Sequence, residues 1–235
     1  MTVRAITFDL WRTLLRDDNS ENRRRMRFEA FSRVTGVAVD EMWSAWDVAL
    51  QEWARRHRDE QRTLHAHDFI ALLEEVFGVK VSPESMPAVI ETFQTAVLEQ
   101  PPEAVDGAGE ALEAAAARFP LGLISDTGNS PGQVLRQLLE RYGFLKYFTV
   151  TVFSDEEGTC KPRREIFEAA ARGLDVDLSE LLHIGDLEFS DIAGAQAGGA
   201  KAALFAGVND RFLHSTRADY VFTSWRDFLD LLPSL

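Results

Sequence analysis

From residue 121 onward, short apolar runs alternate with helical segments, and few folds satisfy that alternation. Residues 121–124, 148–153, 181–184, 202–205 and 220–222 read as strands, and 130–142, 163–172, 188–197 and 225–232 carry helical periodicity. An Ala-rich helical stretch, 106–119, precedes the first of these strands. Strands separated by helices cannot pair as hairpins. They lie parallel, joined by right-handed crossovers, with helices on both faces of the sheet. The opening run, 3–8, has the same apolar and β-branched character and ends in the polar cluster Asp9, Arg12, Thr13, which places it in the same sheet. The expected class is therefore α/β, with a Rossmann-like parallel sheet as its core.

A segment of different character separates the first strand from the others. Arg16 to Ser20 forms a polar hinge, and Gln100-Pro101-Pro102-Glu103 a stiff, extended one. Four helices fit between them. Ser20 is placed to cap the first, which carries Met26, Phe28, Phe31 and Val34 and stops before Gly36. Asp40 is placed to cap the second, with Met42, Trp43, Trp46, Leu50 and Trp53 on one face. Residues 67–77 form the third, stopped by Gly78, and Ser82-Pro83 opens a fourth that runs to about residue 99. The chain is thus expected to divide into a split core, 1–15 with 100–235, and an inserted all-α helical cap, 16–99, over the strand ends. At helical spacing the tryptophans read as cap core. The basic runs Arg23, Arg24, Arg25, Arg27 and Arg55, Arg56, Arg58 read as solvated helix faces, with an anionic substrate as the alternative they could face.

Composition narrows the partners. With 25 basic and 38 acidic residues the formal charge is −13, which argues against nucleic acid or an anionic membrane as a general partner. A single cysteine, Cys160, excludes an internal disulfide framework. No apolar run approaches the roughly 20 residues of a membrane span, and no signal peptide is recognisable. A cytoplasmic protein, monomer or homodimer, is expected.

Chemistry-bearing residues cluster where four strands end. Asp9 follows the first strand, and Ser125-Asp126-Thr127-Gly128 follows the second, at a turn whose backbone N–H groups suit an anion. Lys161 stands immediately before Pro162 at a helix start, where a cation opposes the helix dipole. Asp186 and Asp191 flank the next strand-to-helix turn, a pairing that suits a hard divalent cation such as Mg²⁺. Each cluster alone is also an ordinary cap or turn. Together, in the order Asp, Ser, Lys, Asp with a helical insert after the first, they are hard to assign to capping.

In that order the chain resembles the haloacid dehalogenase superfamily of hydrolases, in the subgroup with a helical cap inserted after the first strand. FDLWRTLL resembles the first motif, LGLISDTG the second, CKPRREIF the third and HIGDLEFSDIAGAQAGGAK the fourth. The resemblance implies that Asp9 is the nucleophile, forming an aspartyl-phosphate in the phosphatases of the family. It implies a Mg²⁺ shell of Asp9, Asp186 and the Trp11 carbonyl supported by Asp191, and phosphate contacts from Ser125 and Lys161. Asp126 and Arg12 stand beside these as substrate-binding candidates. The expected reaction is Mg²⁺-dependent hydrolysis of a small phosphorylated metabolite.

Two positions depart from the pattern. The phosphatases carry a second Asp two residues after the nucleophile, which protonates the leaving group; here Trp11 stands there, and indole is a hydrogen-bond donor only. Arg12 replaces a Gly that usually permits the following turn. The first departure predicts weak turnover or a leaving group that needs no proton, such as that of an acyl phosphate. Three alternatives accompany it: a dehalogenase-like enzyme, a phosphonatase-like enzyme, and a catalytically impaired binding protein. The fourth motif is foreign to the metal-free dehalogenases, and a phosphonatase needs a cap lysine, for which the insert offers only Lys80.

The other candidates read as structural. His65 and His67 are expected at the surface, and His183 is expected to be packed and hydrogen-bonded inside a strand. Cys160 has a neighbour, Lys161, whose charge is of the sign that lowers a thiol pKa, but it has no catalytic partner in the sequence.

Overall fold

The computed structural model describes residues 2–235. Six strands, β1 (Ala5–Phe8), β2 (Leu121–Ser125), β3 (Phe148–Phe153), β4 (Leu181–Gly185), β5 (Lys201–Phe205) and β6 (Tyr220–Phe222), form one sheet in the order β3-β2-β1-β4-β5-β6. Every pairing is parallel. The first strand in sequence is thus central in space, with Phe8 opposite Leu123 on one side and Ile184 on the other. The winding direction reverses beside β1, and the crevice at such a reversal, outside the carboxyl ends of the strands, is where open α/β sheets bind ligands.

Both faces of the sheet are covered, as the continuous apolar runs require. On one face Ile6 and Phe8 pack with α5 (Ala108–Ala116), α6 (Gly132–Arg141) and α10 (Trp225–Leu231), and the Phe8 ring lies 5.8 Å from Trp225 and 6.2 Å from Phe228. On the other, Ala5 and Ile124 pack against α8 (Arg164–Gly173) and the helix after β4. A short helix, α7 (Ser154–Glu157), which periodicity does not reveal, follows β3.

Between β1 and β2 the chain forms α1 (Ser20–Thr35), α2 (Val39–Glu60), α3 (Ala66–Phe77) and α4 (Met86–Glu99). These helices close around an apolar cluster of their own, in which Trp46 contacts Phe28, Phe69 and Phe93, with Trp43 and Trp53 partly buried at its edge. The two hinges lie side by side: the Glu103 N–H donates to Asp18 Oδ1 at 2.8 Å, and Asn19 Nδ2 to the Pro101 carbonyl at 3.0 Å.

Several details differ from expectation. Ser20 is the first helical residue of α1 and not its cap; Asn19 precedes it with φ 54°. Ala38 and not Asp40 caps α2, and Ser82-Pro83 forms a turn ahead of α4, whose cap is Ser85. Leu50 is exposed, and Ala45 and Ala49 pack in its place, because the helical stripe turns away by that position. The basic face of α1 is not solvated throughout. Arg23 and Arg27 are buried, while Arg24 is half-buried and Arg25 exposed. Four residues apart, the first pair stands on successive turns of one face, Arg23 toward the second hinge and Arg27 toward α4.

Candidate active site

Parallel pairing brings the ends of β1, β2 and β4 together, and the site follows from what each strand carries next. Asp9 is held by its own N–H, which donates to the Ile184 carbonyl at 2.8 Å. Lys161 reaches the same point from the loop before α8: its Nζ lies 2.5 Å from Asp9 Oδ1, 2.6 Å from Asp191 Oδ1 and 3.3 Å from the Ile124 carbonyl. Its backbone N–H donates to Asp126 Oδ1 at 2.9 Å. Asp191 Oδ2 accepts the Leu187 N–H at 2.9 Å, which ties the carboxylate across its own turn. That turn, Glu188–Ile192, is wider than an α-helix and continues into α9 (Ala193–Gly198). Gly185 permits the approach, since a Cβ there would sit 2.3 Å from Asp191 Cγ.

His183 supports this cluster from within β4. It is fully buried, with Nδ1 3.0 Å from Thr7 Oγ1 and Nε2 3.2 Å from Asp191 Oδ1. Burial pushes its pKa down in spite of Asp191, so the neutral ring donates Nε2–H to the carboxylate and accepts the Thr7 hydroxyl. Asp186 is fastened differently. Asn209, in the loop after β5, donates Nδ2–H to Asp186 Oδ2 at 2.7 Å. Asn209 carries no comparable signal in the sequence, because it stands four residues beyond the end of β5, whereas Asp9 and Asp186 follow their strands directly.

The charges do not balance. Carboxylate oxygens of Asp9, Asp186 and Asp191 lie within 4.8 Å of one another, against the single ammonium of Lys161. Burial, opposed by Lys161 and reinforced by Asp191 and Asp186, raises the Asp9 pKa well above its ordinary value. Burial and Asp191 raise Asp186 to about 6. Asp191 lies below its ordinary value, because Lys161 and His183 outweigh its burial. Lys161 is raised, since Asp191 and Asp9 outweigh burial. A buried all-oxygen site that strains to stay ionised fits a hard divalent cation, which is smaller and more highly charged than a second lysine.

Of the sequence candidates, Asp9, Lys161, Asp186 and Asp191 meet at one point, and Trp11, Arg12 and Asp126 line the same cavity of about 570 Å³. Ser125 closes β2 but is fully buried, with Oγ 3.5 Å from the Asp126 carbonyl, and it does not line that cavity. Arg12 adopts φ 58°, the left-handed backbone that Gly takes at no cost, and its guanidinium lies 3.8 Å from Asp17. Helix α2 supplies the opposite wall through Ala54, His57 and Arg58. His57 Nε2 stands 3.5 Å from Asp126 Oδ2, and that carboxylate raises the imidazole pKa against the effect of burial. Arg55 and Arg56 instead pair with Glu52 on their own helix. Burial pushes Cys160 up to about 12, the reverse of what its neighbour Lys161 suggests, since Asp126 adds to the burial. His65 and His67 are exposed.

Comparison with known proteins bears on this arrangement. The family profile of the haloacid dehalogenase-like hydrolases matches residues 3–199. The chain belongs to that family. Over 87 residues it is 38% identical to the glyceraldehyde 3-phosphate phosphatase of Pyrococcus abyssi, a match spanning 37% of this chain and 35% of that relative's length. It is 26% identical over 207 residues to the glyceraldehyde 3-phosphate phosphatase of Methanopyrus kandleri, covering 84% of this chain and 81% of that one. Among solved structures, the HAD-hydrolase YfnB from Bacillus subtilis bound to magnesium superposes with a TM-score of 0.72 at 17% identity, over 99% of both chains. At that identity the likeness concerns the fold.

Proposed function

We propose that this haloacid dehalogenase-like hydrolase removes phosphate from a small phosphorylated metabolite, with Mg²⁺ as its cofactor, Asp9 as nucleophile and residues 16–99 as a cap over the core formed by 1–15 and 100–235. One observation carries the proposal: a buried Asp9 shares a lysine with Asp191 beside Asp186, at the floor of a cavity large enough for a metabolite. The phosphatase names of the relatives support the same reading. Among the described residues no helix is long and apolar enough to cross a membrane, in keeping with a cytoplasmic enzyme of soluble substrates.

Asp9, Asp186 and the Trp11 carbonyl would hold the Mg²⁺, with Asp191 in support. Bound there, the cation would offset the charge of an incoming phosphate. The chain's own groups do the rest. Asp9 attacks phosphorus as the bond to the leaving oxygen breaks, and water then releases phosphate from the aspartyl group. Lys161 stabilises the equatorial oxygens, and Asp191 holds its ammonium in place. Arg12 and Asp126 complete the substrate contacts, while Ser125, buried at the end of β2 with its hydroxyl toward the Asp126 carbonyl, backs the turn from behind. Trp11 offers no acid, so leaving groups that depart without a proton should be favoured. The phosphonatase alternative loses its candidate, because Lys80 is exposed and pairs with Glu74 at 2.8 Å.

Phosphate release from p-nitrophenyl phosphate and acetyl phosphate should depend on Mg²⁺, stop in EDTA and fall about 10³-fold or more in Asp9→Asn. Equal rates in the variant would remove the nucleophile assignment. Absence of release from either substrate would favour a ligand-binding role.

Mg²⁺ should also raise Tm by more at about pH 8 than at about pH 5. Asp186 has a raised folded-state pKa, so its ionisation costs stability as pH rises from its ordinary value toward about 6, and a cation offsets that cost only where protons no longer do. Differential scanning fluorimetry with Mg²⁺ or EDTA measures it. A Mg²⁺ shift that is equal at both pH values would count against binding at these carboxylates.

A further inference from the structure

A second, smaller cavity of about 160 Å³ lies where α1 meets the turn after β2, lined among others by Trp11, Asp17, Arg23, Arg27 and Asn129. Two guanidinium groups are buried there, Arg23 at 4% and Arg27 at 8% exposure. Arg23 is satisfied: it donates to Asp17 Oδ1 at 2.8 Å and to the Gln100 carbonyl at 3.1 Å. Arg27 is not. Its Nε donates to the Phe93 carbonyl at 3.1 Å, and among the described residues its two terminal nitrogens have neither a hydrogen bond nor a carboxylate partner. Burial, reinforced by Arg23, pushes its pKa down to about 9, which still leaves it charged at neutral pH. The buried Oδ1 of Asn129, on the same cavity, also has no hydrogen-bond partner.

Two guanidinium groups against one carboxylate leave one positive charge in a place that water reaches poorly. A buried cation without a counter-ion is costly, and the planar fork of Arg27 matches the oxygens of a carboxylate or phosphate. Asn129 Oδ1 asks for a donor, which a hydroxyl supplies. Trp11 and Asp17 line both this cavity and the larger one that contains Asp9, so the two spaces are neighbours with the indole as a shared wall.

We propose that the cavity is a second anion site, in which Arg27 binds a carboxylate or phosphate at the far end of the substrate and Asn129 accepts an adjacent hydroxyl. The substrate is then a phosphorylated hydroxy acid or a polyol bisphosphate; for its reacting end this rests on the phosphatase reading above. Trp11 gains a purpose in this arrangement, as a flat wall along which the carbon chain passes from one anionic end to the other.

The test compares esters that differ only at the far end. Glycerate 3-phosphate against glycerol 1-phosphate probes a carboxylate, and fructose 1,6-bisphosphate against fructose 6-phosphate probes a phosphate. The wild type should favour one doubly anionic ester by about tenfold or more in kcat/KM, and which pair shows the preference tells the two sources apart. Arg27→Gln, which keeps a donor for the Phe93 carbonyl, should reduce that preference about tenfold, mainly through KM. If that variant does not fold, Asn129→Asp serves instead, because a carboxylate there repels the second anion. Calorimetric titration of glycerate 3-phosphate and of fructose 1,6-bisphosphate in EDTA separates the two readings. Binding weakened by Arg27→Gln in a protein without turnover would support the anion site and remove the phosphatase. Turnover with no preference for a second anion, or an equal loss on both members of a pair in the variants, would overturn the anion site and leave the phosphatase standing.

Discussion

Replacing Lys161 with methionine is expected to destabilise the fold by about 3–5 kcal/mol, because it removes the ammonium that pairs with two members of a cluster of three buried carboxylates. For a chain of this size that corresponds to a Tm lower by about 6–20 °C. The loss depends on pH in a definite sense. Asp191 has a depressed folded-state pKa, so the stability it supplies is present above its ordinary value and disappears in acid. Without Lys161 the carboxylates can fold at little cost only when protonated, and the gap between variant and wild type should narrow from about pH 8 to about pH 5. Melting both proteins in EDTA across that range measures it. A double variant, Lys161→Met with Asp191→Asn, should recover part of the loss, since it removes a charge that the single variant strands. Phosphate release should fall about 10²–10³-fold in the single variant. An unchanged Tm at the higher pH would mean that the ammonium does not offset these acids.

Trp11→Asp carries the largest expected gain. A carboxylate two residues beyond Asp9 supplies the proton that an alkoxide leaving group needs, and general acid help is typically worth about 10²–10⁴ in rate. Turnover of glycerol 1-phosphate should therefore rise steeply, while acetyl phosphate, whose leaving group is already weakly basic, should change little. The divergence between the two substrates is the diagnostic, because a general improvement in binding would raise both. The indole packs at the edge of the main core and is only partly buried, so its loss should cost about 1–2 kcal/mol of stability. Equal rates for wild type and variant on the alkyl ester would show that the proton comes from elsewhere. His57, on the wall of the same cavity, would then be the next residue to change.

Much of this site was legible in the primary structure. A strand buried on both faces must be apolar, and the first polar residue after it must lie at the sheet edge, so Asp9 and Asp186 could be placed without coordinates. That Lys161 belongs near these acids was implied by the resemblance, but its ion pairs with Asp9 and Asp191 appear only in the folded chain. The helical nature of the insert was likewise evident from its periodicity, although the caps of three of its helices were misplaced. Cap choice is settled by local geometry that composition hardly constrains.

Contacts between distant segments were not legible. Arg23 and Arg27 look like any basic helix face, and only the packing of α1 on α4 and the hinges buries them and turns a solvated run into a cavity wall. Asn209 and His57 acquire partners across large separations in sequence, from loops and helices whose placement no periodicity encodes. The apolar runs and strand-end acids determine the α/β class and where Asp9 stands, because burial and the parallel pairing of strands act on every residue of a run at once. The remainder of the site depends on single side chains that meet only in the folded chain, Lys161 and Asn209 within the sheet domain and His57 across the interface of insert and sheet.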